Sequence, residues 1–276
     1  MSAAVAMIPY ANMAPYRMLG PPAGCRFVPL APRASIGALA AGDVVAAAVP
    51  VGGLLGLSGV VETVGRFGIA ARGASMSVLF FSRVPFAAMH APHTVRITGE
   101  TASSVRLLYL LLGQAHGFER LPRLAVNGQR PDGELLIGDR ALVKGQDPPV
   151  GPWTAVTDLS SLWFETQQLP FVFARWVVRT DAPEAVKSSI AHWLETFKAR
   201  EADLVAQAVP AATKALGLAP AVVRRYFQVI RRCLDDADIR GQQRFCDLFA
   251  QAARSPLFEA MPPARSSEGA NKQGVK

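Results

Sequence analysis

Residues 158–179 read DLSSLWFETQQLPFVFARWVVR, and the second half of that stretch decides what kind of fold the chain adopts. Leu169 to Val178 is an apolar run opened by Pro170, and a strand start tolerates proline where a central ladder position does not. Phe171-Val172-Phe173-Ala174 shows no polar alternation, the pattern of a strand buried on both faces of a parallel or mixed sheet. The first half is a polar cap at Asp158 followed by aromatics mixed with amides. Aromatic runs of this kind are ordinarily core. The acid and amides at Glu165, Gln167 and Gln168 set up the alternative, that the segment edges a ligand cleft.

Outward from this stretch, strands and helices alternate as in an α/β protein. Ala3 to Ile8 reads as a first strand, and Pro9 to Pro15 turns out of it. Pro32 to Ala41 predicts a short helix ended by Gly42-Asp43, before the apolar Val44 to Val49. Ile69 to Ser82 predicts one long strand crossing between lobes, and Val95 to Thr98 a short one. Gly99 to Ser104 turns into a helix from Val105 to Leu112, and a strand ends at Gly138 with Asp139 capping the next turn. From Pro183 onward the pattern is helical. Ile190, Trp193, Leu194, Phe197 and Leu204 form one stripe between Ala185 and Val209. Pro220 introduces a helix over Val222 to Ile230, and Arg240 to Ala253 carries Phe245, Leu248 and Phe249 on one face. Pro262 to Lys276 is polar and expected to be disordered.

Composition narrows the function classes. With 276 residues, 50% of them hydrophobic, the chain is long enough for a full core divided between two lobes. Cys25, Cys233 and Cys246 have no CxxC spacing, and His90, His93, His116 and His192 are not spaced as a metal set, so neither a disulfide framework nor a metal site is expected. The net charge of +8 is spread over scattered arginines with no basic stripe, which favours steering of anionic ligands over nucleic-acid binding. Val44 to Val61 approaches membrane-spanning length but is broken by Pro50 and four glycines. The first residues lack a basic signal-peptide region, so a cytoplasmic protein with no membrane partner is expected. No P-loop, dinucleotide fingerprint or nucleophile elbow is present.

What remains are hydroxyls and amides at strand ends and helix starts. Asn12 follows the first strand, where it either satisfies its own turn or meets a ligand at the carboxyl end of the strand. Ser77 and Ser82 either satisfy backbone groups or hydrogen-bond a ligand. Thr101, Ser103 and Ser104 precede a helix whose free amides suit an anion. Asp139 reads as a structural cap ahead of a catalytic acid.

Several separated phrases resemble the menaquinone-biosynthesis family whose best-known member is chorismate dehydratase. They are Tyr10-x-Asn12 with Pro15, the serine-rich Ser75 to Arg83, Leu135-Leu136-Ile137-Gly138-Asp139, and Asp158-Leu159, Trp163, Leu169-Pro170-Phe171-Val172-Phe173-Ala174 with Trp176. The resemblance spans Val5 to Phe258. It implies a two-lobed periplasmic-binding-protein-like fold of type II, with lobe one from residues 1–84 and 175–261, lobe two from 85–174, and C-terminal helices packed on lobe one. It implies a cofactor-independent hydro-lyase acting on the dianion chorismate. Asn12 and Ser82 would be the catalytic groups, and Tyr10, Ser77, Thr101, Ser103, Ser104 and Asp139 would hold the substrate. Departures occur at Ser160 and Thr166-Gln167-Gln168, expected at the cleft mouth, and at Val51-Gly52-Gly53. The rival reading is a non-catalytic binding protein for a small aromatic carboxylate.

Overall fold

The computed structural model describes residues 2–126, 128–148 and 151–252, so the tail expected beyond Pro262 lies outside the described residues. The chain opens with β1 (Ala3–Met7), α1 (Ala14–Met18), β2 (Cys25–Pro29), α2 (Pro32–Ala41), β3 (Ala46–Pro50), the single turn α3 (Val51–Leu54) and β4 (Val61–Ala71). It continues through β5 (Val78–Ser82), β6 (Thr94–Ile97), α4 (Ser103–His116), β7 (Arg123–Leu124), β8 (Gly133–Ile137), α5 (Gly138–Lys144), β9 (Ala155–Asp158) and α6 (Leu159–Gln167). It closes with β10 (Phe171–Arg179), α7 (Glu184–Leu216), α8 (Pro220–Val229), β11 (Ile230–Cys233) and α9 (Asp236–Ala252).

These strands form two sheets, ordered β11-β4-β10-β3-β1-β2 and β7-β6-β8-β5-β9. The two share one plan. The first parallel strand sits between the second and third, and an antiparallel strand flanks the third, β10 in one sheet and β5 in the other. β10 lies between β3 and β4 with both faces buried, as its unbroken apolar sequence requires, and Pro170 stands just ahead of its first ladder residue.

The chain changes sheets between β4 and β5 and returns between β9 and β10, so membership switches within residues 72–77 and 159–170, not at 84 and 174. The expected single strand over Ile69 to Ser82 is therefore two strands in different sheets. Asp158 breaks it: its carboxylate accepts the amides of Ser75 at 2.9 Å and Met76 at 2.8 Å, with Met76 held at φ 60°. The same carboxylate caps α6 through Ser160 N and Ser161 N, so one side chain ties both crossings together. Burial raises its pKa, and the four backbone amides pull it back down.

Two aromatic-rich cores result. Tyr16 stacks on Phe197 at 3.9 Å between centroids beside Trp176 and Trp193, which fixes α1 and α7 on the first sheet. Trp163 and Phe171 pack edge to face with Phe245 of α9. α9, expected on the first lobe with the other two C-terminal helices, bridges the two: it lies on β10 of the first sheet, and its Phe245, Leu248 and Ala252 join the second core beside α4. α7 runs past the predicted end at Val209, carrying Pro210 within it. The predicted helix end at Ile230 is instead the start of β11, which pairs with β4. Among the described residues no helix is long and apolar enough to cross a membrane.

Candidate functional site

A cleft opens where the carboxyl ends of β1, β3 and β8 meet the N-terminus of α4, and it encloses about 590 Å³ counting its open mouth. Its apolar walls are Ile8, Ile69, Val78, Ile137, Phe173 and Ile230. Its polar lining is Tyr10, Asn12, Ser77, Ser103 and Ser104. Five residues singled out from the sequence thus converge on one space, at the carboxyl ends of parallel strands where open α/β sheets bind ligands.

Asn12 sits on the short helical turn after β1, and its Oδ1 is buried with no hydrogen-bond partner. A buried orphan acceptor costs free energy that a ligand donor would recover. Its main-chain carbonyl accepts Arg232 Nε at 3.2 Å. Ser77 is also buried, and its Oγ accepts the Tyr226 hydroxyl at 3.2 Å, which leaves the serine's own hydrogen for the cleft. The Asn12 side chain is a second hydrogen-bonding influence on that phenol. Burial nevertheless dominates and holds the Tyr226 hydroxyl well above the ordinary tyrosine range.

Ser103 does not cap α4. Its Oγ accepts Gly52 N at 3.0 Å and donates to Phe173 O at 3.2 Å, joining the two halves at the cleft floor. Gly52 suits this close approach, since a Cβ would stand 3.1 Å from the Ser103 Cα. The Val51-Gly52-Gly53 departure thus reflects close packing on α4. With no side-chain cap at Ala102, the first-turn amides of α4 remain available to an anion beside Ser104.

Tyr10 covers the other side. Its hydroxyl donates to Glu100 at 2.5 Å, and burial together with that carboxylate drives its pKa upward. Its ring lies against Gly138, where a Cβ would be 2.7 Å from the ring at φ 62°. Asp139 does not cap its own helix: it accepts the main-chain amide of Ala11 at 2.8 Å, across the two sheets. Burial raises its pKa, while Ala11 and Arg17 lower it.

Other expected residues lie elsewhere. Ser82 stands at the far end of β5, about 16 Å along the strand from Ser77, and donates to Val84 O at 2.7 Å. Thr101 faces a second cleft. The Thr166-Gln167-Gln168 segment is not at the mouth. Gln167 accepts Arg244 Nε at 3.0 Å, and Gln168 closes α6 in the left-handed conformation. Glu165 is exposed, so of the opening stretch only Phe173 and Ala174 reach the cleft. Ser160 is fully buried with an unpartnered hydroxyl. Sequence reading missed Tyr226 and Arg232. The i, i+3, i+4 spacing of Val223, Tyr226 and Phe227 was the available signal that this tyrosine faces inward.

Comparison with known proteins adds three findings. The sequence pattern defining the menaquinone-biosynthesis family matches residues 3–251. The chorismate dehydratase of Thermus thermophilus is 30% identical over 198 residues, which are 66% of this chain and 70% of that protein. The fold is that of periplasmic binding proteins: a protein of Archaeoglobus fulgidus superposes with TM-score 0.65 at 13% identity, covering 92% of this chain and 98% of that one. The periplasmic aliphatic sulphonate-binding protein of Escherichia coli gives 0.61 at 15%, covering 93% and 94%. The expected cytoplasmic location is not upheld: the solved structures that share this fold include the periplasmic Escherichia coli protein.

Proposed function

The chain belongs to the menaquinone-biosynthesis family, and from that premise we propose that its cleft dehydrates chorismate to 3-[(1-carboxyvinyl)oxy]benzoate. The observation that carries the reading is the unpartnered Asn12 Oδ1, buried in the wall of a largely apolar cleft beside uncapped helix amides. Chorismate carries two carboxylates and a ring hydroxyl. In the reaction a ring C–H bond and the C–O bond to that hydroxyl break, the ring gains its third double bond, and the proton and hydroxide leave as water.

Among the described residues lining the cleft only Tyr10 is titratable, and it is engaged by Glu100. The protein therefore supplies positioning and fixed dipoles, and the substrate's own enolpyruvyl carboxylate is the proton acceptor. The α4 amides and Ser104 hold a carboxylate, and Ser77 donates a hydrogen bond in the orientation set by Tyr226. Asn12 Oδ1 accepts the ring hydroxyl, and Phe173 with the isoleucines sandwiches the ring. No cofactor takes part. The shared strand plan of the two sheets supports a two-lobed arrangement of type II, one lobe per sheet, with the substrate between them.

The test is incubation of purified protein with chorismate, following substrate and product by chromatography. Turnover above the spontaneous rate that falls at least a hundredfold in Asn12→Ala, with thermal stability retained, is expected. Absence of turnover by the unaltered protein overturns the reading. Tight binding without turnover would move the cleft to the class of non-catalytic binding sites for small aromatic carboxylates.

A further inference from the structure

The contacts that tie the two sheets together around the first cleft differ in exposure. On the floor, Ser103 joins Gly52 N to Phe173 O, and Arg106 donates to the Gly52 carbonyl. The Tyr226 hydroxyl donates to Ser77 Oγ beside β5, and Asp139 accepts Ala11 N. α9 lies on both β10 and α4, with Phe245 edge to face against Trp163 and Phe171. All of these are buried or half-buried. The bond from the Tyr10 hydroxyl to Glu100 is different, because it is open to solvent.

The main chain on either side of that bond is held. The Tyr10 carbonyl accepts Met13 N at 3.1 Å and Arg17 Nη1 at 3.1 Å, and the same guanidinium nitrogen donates to Ile8 O at 3.0 Å. Glu100 sits in a turn closed by Thr101 N on Thr98 O at 3.3 Å, between β6 and α4. Two fixed backbones, one from each half, are thus joined across the rim of the cleft by side chains alone. Beneath the ring is Gly138, which has no side chain to interlock with it. An exposed hydrogen bond adds little net stability, and side-chain rotation is faster by orders of magnitude than the hinge motion of packed domains. The easiest opening of this cleft is therefore the turning of one ring, with the buried contacts left intact.

We propose that the Tyr10 side chain is a gate on the first cleft and that Glu100 is the positioning residue that latches it, so that a ligand enters and leaves by rotation of the ring while the two halves stay joined. The inference rests on the first cleft being the ligand site. Glu100 does not line that cleft and acts through the phenol it holds. A closed gate sets the ring as one wall of the cleft and keeps water from the ligand, and an open gate leaves the floor and the Asn12 turn in place. Of the four tyrosines, Tyr16, Tyr109 and Tyr226 are buried, so Tyr10 is the one whose ring reports on this movement.

The experiment is NMR of the full chain carrying 13C in its tyrosine rings, without ligand, alongside steady-state kinetics with chorismate. Glu100→Ala should move the Tyr10 ring signal towards that of a solvated tyrosine and leave the three buried rings in place. Glu100→Gln keeps an acceptor oxygen and should hold the signal near its original position. An unmoved Tyr10 signal in Glu100→Ala overturns the proposal. Shifts of equal size at the buried tyrosines overturn it too, because the halves themselves would then be moving. In the kinetics, Glu100→Ala should raise KM at least fivefold with kcat within twofold, since ligand escapes faster from an unlatched cleft. Glu100→Gln should restore KM to within twofold, and Tyr10→Phe combined with Glu100→Ala should add no more than twofold to either alone. A fall in kcat at constant KM, or a glutamine variant as impaired as the alanine one, refutes the latch. If the unaltered protein does not turn over chorismate, the dehydratase reading fails, and the ligand-free spectra still decide the gate.

Discussion

Tyr226→Phe isolates how the cleft is organised. The ring of Tyr226 is fully buried in the first core, and phenylalanine fills the same volume minus one hydroxyl, so no cavity larger than that oxygen is left. What disappears is the 3.2 Å hydrogen bond to Ser77 Oγ. A neutral bond of that kind contributes about 1 kcal/mol net, which sets the expected loss of stability. The loss in activity should be larger. Without the phenol, Ser77 is free to point its hydrogen at other acceptors, and the amide of Asn12 loses a neighbour that fixes its face. Misorienting donors that act only when the substrate is in place typically costs about 2 kcal/mol, or about 30-fold in kcat/KM. The assay is steady-state chorismate turnover for Tyr226→Phe, Ser77→Ala and the double variant, alongside thermal unfolding of each. If Tyr226 works through Ser77, the double variant loses little more than Ser77→Ala alone, a coupling of about 1–2 kcal/mol. Unchanged kcat/KM in Tyr226→Phe, or simple additivity of the two losses, refutes the reasoning.

Ser82→Ala should keep turnover within twofold and cost about 1 kcal/mol of stability, because its hydroxyl serves only the Val84 carbonyl; a hundredfold loss of activity would restore it to the catalytic set. Gly138→Ala should destabilise the fold by roughly 1–3 kcal/mol and raise KM, since the position is left-handed and the new methyl would meet the Tyr10 ring; an unchanged Tm contradicts that. Burial holds the Asp139 carboxyl above the ordinary aspartate range, so its contribution to stability is full at low pH and is lost as pH rises through the raised value. Asparagine retains an oxygen for the Ala11 amide without titrating. The stability of Asp139→Asn relative to the unaltered protein should therefore improve from about pH 4 upward, and a difference constant with pH in chemical denaturation sinks the account. Finally, kcat should be flat from about pH 6 to 9, because Tyr10, the one titratable group among the described lining residues, is pushed upward; a bell-shaped profile in that window would reveal a protein acid or base.

What could be read from the sequence was local. Asn12 follows a strand, Ser103 and Ser104 begin a helix, and Pro170 opens β10, so each position was marked by its immediate neighbours. The choice between Ser77 and Ser82 was also within reach. An odd separation along extended chain turns two side chains to opposite faces, so the pair could not both look into one cleft even on an unbroken strand. Other features depend on contacts across the whole chain. Tyr226 reaches Ser77 over 149 residues and Arg232 reaches Asn12 over 220, and no local pattern encodes either pairing. In Arg224-Arg225-Tyr226 the two arginines are exposed while the third residue turns inward, so the charged pair masks the buried phenol in the sequence. The mouth expected at Thr166-Gln167-Gln168 fails for a related reason: a polar run next to a cleft-forming strand in sequence need not lie near the cleft, and the helix carrying it ends beside α9.

Among the described residues, the charged groups beside the first cleft act through a neutral group that they hold, and this is how a site whose lining carries no charge can still be specific. Asp139 is occupied by the Ala11 amide, Glu100 by the Tyr10 hydroxyl, and Arg232 by the carbonyls of Asn12, Phe227 and Ile230. Each ion fixes a piece of backbone or a phenol, and that neutral group then faces the ligand or supports one that does. Arg232 shows the cost of the arrangement. It is 1% exposed, burial lowers its pKa, Glu201 stands at 3.5 Å, and its Nη2 remains without a partner. A buried guanidinium so incompletely satisfied is a poor stabiliser of a fold. It is well suited to holding the Asn12 turn rigid against β11, because moving that turn would uncover a further unsatisfied donor. The C-terminal segment is therefore part of the site: α8 supplies the phenol behind Ser77, and β11 supplies both the guanidinium behind Asn12 and Ile230 in the cleft wall.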